Sequence, residues 1–413
     1  MTASPATEGT KKKAGLGTIF LILFLDILGF SIVLPFLAEE ARNTFGTSEA
    51  VGTLLAAIYS LMQFLFVPVW GRLSDRTGRR PVLVWSVFAT AIGMFGLGGA
   101  LIFSQTVAWL FVARAASGIA TANIGTASAY IADITGPEDR AKGMSTIGVA
   151  FGLGFILGPA IGGILSSITI HGRAGAVPCL VAGGLSLLNF LWALTQLKES
   201  LPRDRRSTKK RSLSPLDLGA ARDAFARPGI ARAVIVNFVL ILSFTILDQT
   251  FRFFNKDLFQ MSAIDTGLML GYIGVVAALV QGGLVRRLAK KYDETYLVRW
   301  GIGIQVFAFA GLAAAPSIGK NFLYVAGAFL AIGNGLSAPS ISTFVSKRAD
   351  PREQGATLGT NQSAASLARM FGPALGGVIY GSLGARWPYV MSAIGMAFAT
   401  LLALTLKPLP KPE

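Results

Sequence analysis

The chain has 413 residues, 53% apolar and 14% charged, with a formal net charge of +16 and a mean hydropathy of +0.59. A soluble core of this size does not need so much apolar surface, so most of the chain is expected in lipid. One cysteine and one histidine exclude an internal disulfide, a Cys/His metal site and His-based catalytic triads, and no phosphate-loop motif is present, so neither ATP nor any cofactor is expected.

Windows of about twenty apolar residues, enough to cross a bilayer, fall at 17–38, 50–69, 82–103, 107–131, 143–166, 176–197, 231–252, 265–285, 295–315, 320–345, 356–381 and 387–406. In hydrocarbon the backbone must satisfy itself, so each window is predicted to be a helix. The fold class is therefore an all-α integral membrane protein of twelve transmembrane helices. Lys11–Lys13 precede an apolar run too long for a signal peptide, and no cleavage site follows, so the first helix is expected to be retained. Alternate loops and both tails hold most of the 37 Lys and Arg. That skew places both termini in the cytoplasm of a multi-pass cell-membrane protein, the inner membrane if the source is Gram-negative. It also accounts for the net charge without nucleic acid.

Taken in chain order, span one carries Asp26 near its middle, followed nine residues later by Pro35, and span two carries Gln63. Spans two and three are joined by Gly71-Arg-Leu-Ser-Asp75-Arg76-Thr-Gly78-Arg79-Arg80. Its arginines suit a basic anchor, but Asp75 lowers the anchoring charge, and Gly71 and Gly78 permit a tight turn. Span four holds Arg114 and Asn123, with Asp133 just past its end. In span five Gly154, Gly158, Pro159, Gly162 and Gly163 form a small-residue stripe suited to close helix packing. His171 falls in a short outer loop, and Cys179 in span six. The long basic stretch 198–229 reads as a cytoplasmic linker, with a short helix near Leu216–Phe225, between bundles at 1–197 and 230–413. Beyond it lie Asn237 and Asp248 in span seven, Asn334 in span ten, and Gln362 and Arg369 in span eleven.

The two halves repeat. Residues 137–163 align without gaps to 351–377, an offset of 214, and both stretches end in Gly-Pro-Ala-x-Gly-Gly. Such duplication predicts two six-helix bundles about a pseudo-two-fold axis along the membrane normal.

The chain resembles the major facilitator superfamily over essentially its whole length. The 71–80 stretch matches that family's signature loop at nearly every position; Leu110-x3-Arg114-x3-Gly118 resembles a second motif, and the span-five stripe a third, which marks the antiporter branches. Asp26 with Pro35 is similar to the tetracycline and multidrug drug/proton antiporters. In the second half, Gly283-Leu284-Val285-Arg286-Arg287 is only a remnant of the signature loop. The resemblance implies a cytoplasmic gate. Asp75 would face the positive N-terminal end of span eleven, and Arg76 an acid at the inner end of span four, for which Asp133 is available. It also implies that Arg114 lies beside the proton site. From the glycines themselves, span five is expected to pack tightly against its counterpart, with Gly372-Pro373 and Gly376-Gly377 mirroring the seam.

Charges inside spans are costly and are functional candidates by default. Asp26 is either a proton or cargo site or a structural partner of Arg114. A buried carboxyl favours its neutral form and a nearby guanidinium the charged one, a competition that an alternating cycle can use. Asp248 either couples protons or pairs locally with Arg252 one turn on. Arg369 has no acid three or four residues away and must meet another helix or line a wet cavity. Gln63, Asn123, Asn237, Asn334 and Gln362 either line that cavity or join helices. The expected function is a monomeric secondary carrier, a proton-coupled antiporter exporting hydrophobic or amphipathic small molecules by alternating access. Its partners are then a small-molecule substrate, protons and the lipid bilayer. Export of a lipid-like or native metabolite, and a non-transporting sensor or scaffold, are the alternatives.

Overall fold

A computed structural model of the chain describes residues 5–46, 49–104, 106–136, 138–173, 175–207, 222, 225–227, 229–261 and 263–408. The helices are α1 (Pro5–Phe45), α2 (Glu49–Thr77), α3 (Arg79–Phe103), α4 (Ala108–Ala120), α5 (Ile124–Ile134), α6 (Arg140–Ser166), α7 (Ala176–Gln196), α8 (Ile230–Phe259), α9 (Ala263–Leu279), α10 (Val285–Lys291), α11 (Glu294–Ile318), α12 (Phe322–Arg348), α13 (Gln354–Leu383) and α14 (Trp387–Leu404). Among the described residues, nine helices are long and apolar enough to cross a membrane. The short helix expected near 216–225 lies outside the described residues, apart from Arg222 and Phe225.

Two of the predicted spans are not plain α-helices. The fourth is split into α4 and α5 by Thr121–Asn123. Side chains of α2 satisfy the break: Gln63 Nε2 donates to the Thr121 carbonyl at 3.4 Å and to Thr121 Oγ1 at 3.2 Å, while Thr121 Oγ1 donates to Tyr59 Oη at 2.7 Å. All three break residues are buried, the condition under which irregular backbone is tolerated at membrane depth. The eighth span runs from α9 into α10 through a π-helical turn, Val280–Leu284.

The chain divides into two compact units, Met1–Ala220 with Ala349–Ser363, and Ala221–Arg348 with Ala364–Glu413. The first ten residues of α13 thus belong with the first unit, a grouping not expected from bundles at 1–197 and 230–413.

Within the first unit, α6 lies on α1. Ser31 Oγ donates to the Gly154 carbonyl at 2.7 Å, and a Cβ on Gly158 would strike Ser31. Within the second unit, α13 lies on α8 in the same way. Thr245 Oγ1 contacts the Ala368 carbonyl at 3.4 Å, and a Cβ on Gly372 would strike Thr245. Each of these residues is its partner's number plus 214, so the sequence repeat is also a repeat of contacts. This revises the expectation for the glycine stripe. Gly154 and Gly158 face α1, because the missing side chains admit the Ser31 hydroxyl to a backbone carbonyl. Gly162 is buried, Gly163 is exposed, and the side chain of Pro159 lies outside the described residues. Gly376 meets Ile246 of α8.

Candidate functional site

The signature stretch is almost entirely helical. Helix α2 continues to Thr77 and α3 starts at Arg79, so the whole connection is Gly78, at φ 108 and ψ 159. A side chain is strained at that φ, which is why a glycine is needed. Gly71 serves closeness rather than a turn: it sits inside α2, and a Cβ there would run into the Gly355 carbonyl.

This approach brings Asp75 to the start of α13. Asp75 Oδ1 accepts from Gly355 N at 2.9 Å and Oδ2 from Ala356 N at 2.8 Å. Two of the helix's orphan amides are thereby satisfied by a buried carboxylate, at the end where the macrodipole favours negative charge. The arrangement is worth up to ~2 kcal/mol when partly buried.

The guanidinium that reaches Asp133 belongs to Arg79, where the resemblance implied Arg76. Arg79 Nη1 lies 2.5 Å from Asp75 Oδ1 and 2.8 Å from Ser74 Oγ, and its Nε donates to Asp133 Oδ2 at 3.1 Å. The reason is the one-residue turn. Arg79 opens α3 and folds back over Asp75 four residues earlier, with the end of α5 on its other side; Arg76, in the last turn of α2, is half-buried. Arg80 Nη2 donates to the Leu194 carbonyl at 2.7 Å, a cation at the C-terminal end of α7.

Sequence reasoning missed two members of this cluster. Glu199 Oε1 accepts from Arg79 N at 2.8 Å, and Ser200 Oγ donates to Asp133 Oδ2 at 3.0 Å. Both lie in the stretch taken as linker, and nothing local in "KESL" marks them.

Deeper in the first unit lie Asp26 and Arg114, both buried. They form no ion pair among the described residues, so neither is the other's structural partner in this state. Asp26 Oδ2 has a long contact with Asn123 Nδ2, at 3.5 Å, and its Oδ1 has no hydrogen-bond partner among the described residues. Asn123 also donates to Ser86 Oγ at 2.8 Å. Arg114 is held by rings. Its Cζ lies 4.4 Å from the Tyr59 centroid and 5.5 Å from that of Phe30, and the two rings stack at 4.7 Å. Its Nε reaches the Leu55 carbonyl at 3.5 Å, while both Nη atoms are buried without a hydrogen-bond partner among the described residues. Aromatic faces offset only part of the desolvation of a guanidinium. Gln63 is also buried; it donates to Tyr59 Oη on its own helix at 3.1 Å, and through its bonds to Thr121 it joins α2 to the break after α4.

In the second unit Asp248 and Arg252 are both exposed and form no ion pair among the described residues, contrary to the local-pair account. Arg369 is half-buried and donates from Nη2 to Ser366 Oγ at 3.0 Å, one turn earlier on its own helix. Asn237 is buried, and Asn334 and Gln362 are half-buried. A second charge cluster, also missed from sequence, joins the start of α11 to the end of α12. Glu294, buried, takes Lys347 Nζ at 2.6 Å and Arg348 Nη1 at 3.5 Å.

The profile of the Major Facilitator Superfamily matches residues 19–347 and again 306–413. The chain belongs to the major facilitator superfamily. Relatives within and around it include the class C tetracycline resistance protein of Escherichia coli, 31% identical over 92% of this chain and 92% of that protein. Multidrug resistance protein 1 of Bacillus subtilis (strain 168) is 28% identical over 96% and 97%. A crystal structure of the human organic anion transporter MFSD10 (TETRAN) superposes with a TM-score of 0.83 at 25% identity, covering 95% of this chain and 99% of that one. This major facilitator protein is accordingly a multi-pass membrane transporter. Its signature turn carries Asp75 and Arg79, which cluster with Asp133.

Proposed function

We propose that this transporter is a proton-coupled antiporter that exports hydrophobic or amphipathic small molecules across the cell membrane by alternating access. In this reading it works as a monomer, the signature turn and both termini lie in the cytoplasm, and Asp75 is the gate charge. One observation carries the coupling: a buried carboxyl, Asp26, and a buried guanidinium, Arg114, share one unit without pairing, each with polar atoms left unpartnered among the described residues. An acid so placed is a group whose proton a change of neighbours can add or remove. The names of near-full-length relatives, tetracycline and multidrug resistance proteins, support the cargo class. A second reading, anionic amphipathic cargo, is favoured by the two unpartnered Nη atoms of Arg114 and by the organic anion transporter among the structural neighbours.

Purified protein in pH-jump liposomes tests both, with tetracycline and an organic anion as alternative probes. Proton-driven concentration of either probe by the wild type, abolished by Asp26→Asn, supports the coupling. Uphill transport that survives Asp26→Asn and is lost in Asp248→Asn moves the proton site to the second half. Absence of any cargo-dependent flux across a broad panel would favour the sensor or scaffold alternative.

A further inference from the structure

The stretch after α7 does more than leave the bundle. Glu199 Oε1 accepts from Arg79 N at 2.8 Å and from Ser200 N and Leu201 N at 3.0 Å each, and its Oε2 accepts from Arg80 N at 3.3 Å. Ser200 Oγ binds Asp133, and Ser207 N donates to the Asp75 carbonyl at 2.8 Å. The same ten residues, 198–207, therefore bond to the backbones of Asp75 and Arg79 and to the side chain of Asp133, the three residues of the signature cluster. A carboxylate suits position 199, since both of its oxygens accept from amides at the start of α3. Helix α3 begins with unsatisfied amides, and an anion there gains charge-assisted hydrogen bonds at the positive end of the dipole. Gly78 leaves room for it, since a Cβ on Gly78 would fall on the Glu199 carboxylate and on Arg206.

We propose that Glu199 is a positioning residue of the gate, and that 198–207 is a strap belonging to the gate rather than the start of a passive linker. The proposal rests on the reading of Asp75 as the gate charge. Its logic is mechanical. The backbone of Arg79 is pinned by Glu199 at the point from which its guanidinium spans Asp75 and Asp133. Without the pin, the first turn of α3 frays as helix ends do, and the guanidinium loses its aim. Asp75 is then left short of its counter-charge and holds the amides of Gly355 and Ala356 less firmly. A simple helix cap would not reach those two amides, which are more than 150 positions beyond it in the chain.

Amide hydrogen exchange on the full-length protein in lipid nanodiscs, without cargo, reads this directly. Glu199→Ala should speed exchange at residues 79–82 by about fivefold, the size of a lost helix cap, and should also speed exchange at 355–356. Glu199→Gln, which keeps an acceptor for the Arg79 amide but drops the charge, should give a smaller change at both places. Glu199→Gln also serves alone if Glu199→Ala does not fold. Faster exchange at 79–82 with 355–356 unchanged would make Glu199 a cap and overturn the proposal; so would no change at either. Asp75→Asn is the control for the reading beneath. If it leaves 355–356 protected, the gate reading fails. If it exposes them and Glu199→Ala does not, the strap alone fails.

Discussion

Offset by 214 residues, the two halves place an ion pair at nearly the same positions but with opposite polarity. In the first half a cation opening α3, Arg79, meets an anion near the end of α5, Asp133. In the second an anion opening α11, Glu294, meets a cation near the end of α12, Lys347. Position 133 corresponds to 347, and 80 to 294. The position matching Asp75 is Ala289. The difference separates two jobs. A pair that ties neighbouring helices needs only opposite charges, so its polarity can be exchanged. A group facing a helix N-terminus must accept from the amides there and gains most when it is negative, because the dipole is positive; a cation cannot take its place. Asp75 does the second job for α13, and Ala289 at the matching position has no polar side chain to do it.

The largest effect should come from the unsymmetric position. Asp75→Asn keeps one acceptor but removes the charge facing Gly355 and Ala356 and half of the counter-charge of Arg79. Transport in proteoliposomes should fall by roughly tenfold or more, about 1.4 kcal/mol or above in the rate-limiting step, with the protein still inserted. Near-normal rates would mean that the contact with α13 is dispensable.

Next come polarity exchanges. Glu294→Lys should lower stability by roughly 3 kcal/mol, as breaking a buried pair does, read as a lower thermal midpoint in detergent. Adding Lys347→Glu should restore most of that loss. The equivalent exchange in the first half, Arg79→Glu with Asp133→Arg, should not recover, because Glu at 79 would lie against Asp75. Equal recovery in both halves would erase the distinction between a tie and a gate.

The seams, by contrast, should behave alike. Gly158→Ala and Gly372→Ala each push a methyl into a hydroxyl-bearing residue and should cost about 1–3 kcal/mol. Ser31→Ala in the Gly158→Ala background should relieve part of that strain, a non-additivity measurable in a double-mutant cycle. The smallest effects belong to the hydroxyls alone. Ser31→Ala and Thr245→Val should each cost about 1 kcal/mol, and a large difference between them would show that the repeat of contacts is not a repeat of energies.

Much of this was legible before any coordinates. The meeting of Asp75 with the start of span eleven was available through the resemblance, and the repeat at 214 marked Gly158 and Gly372 as a matched pair, but not Ser31 and Thr245, the residues they meet. Glu294 and Lys347 could have been found by adding the same offset to Arg80 and Asp133. Other features carried no such mark. The pairing of Asp26 with Arg114, plausible from two buried charges, is absent because Tyr59 and Phe30 hold the guanidinium. The choice of Arg79 over Arg76 follows from how short the turn is, which one glycine decides.

By itself the sequence determined the helical class, the place of most helices and the duplication, but not the break at Thr121–Asn123 or the π-helical turn at Val280–Leu284. The physical reason is that lipid leaves a backbone no partner but itself, so an apolar window of the right length has one regular solution. Which side chains meet at the ends and inside the bundle was decided by tertiary structure alone. Asp75 and Gly355 are 280 positions apart, Arg79 and Glu199 are 120 apart, and Gln63 meets Thr121 58 positions away. No local pattern encodes such contacts; they follow only once the close-packed glycines have set where each helix lies.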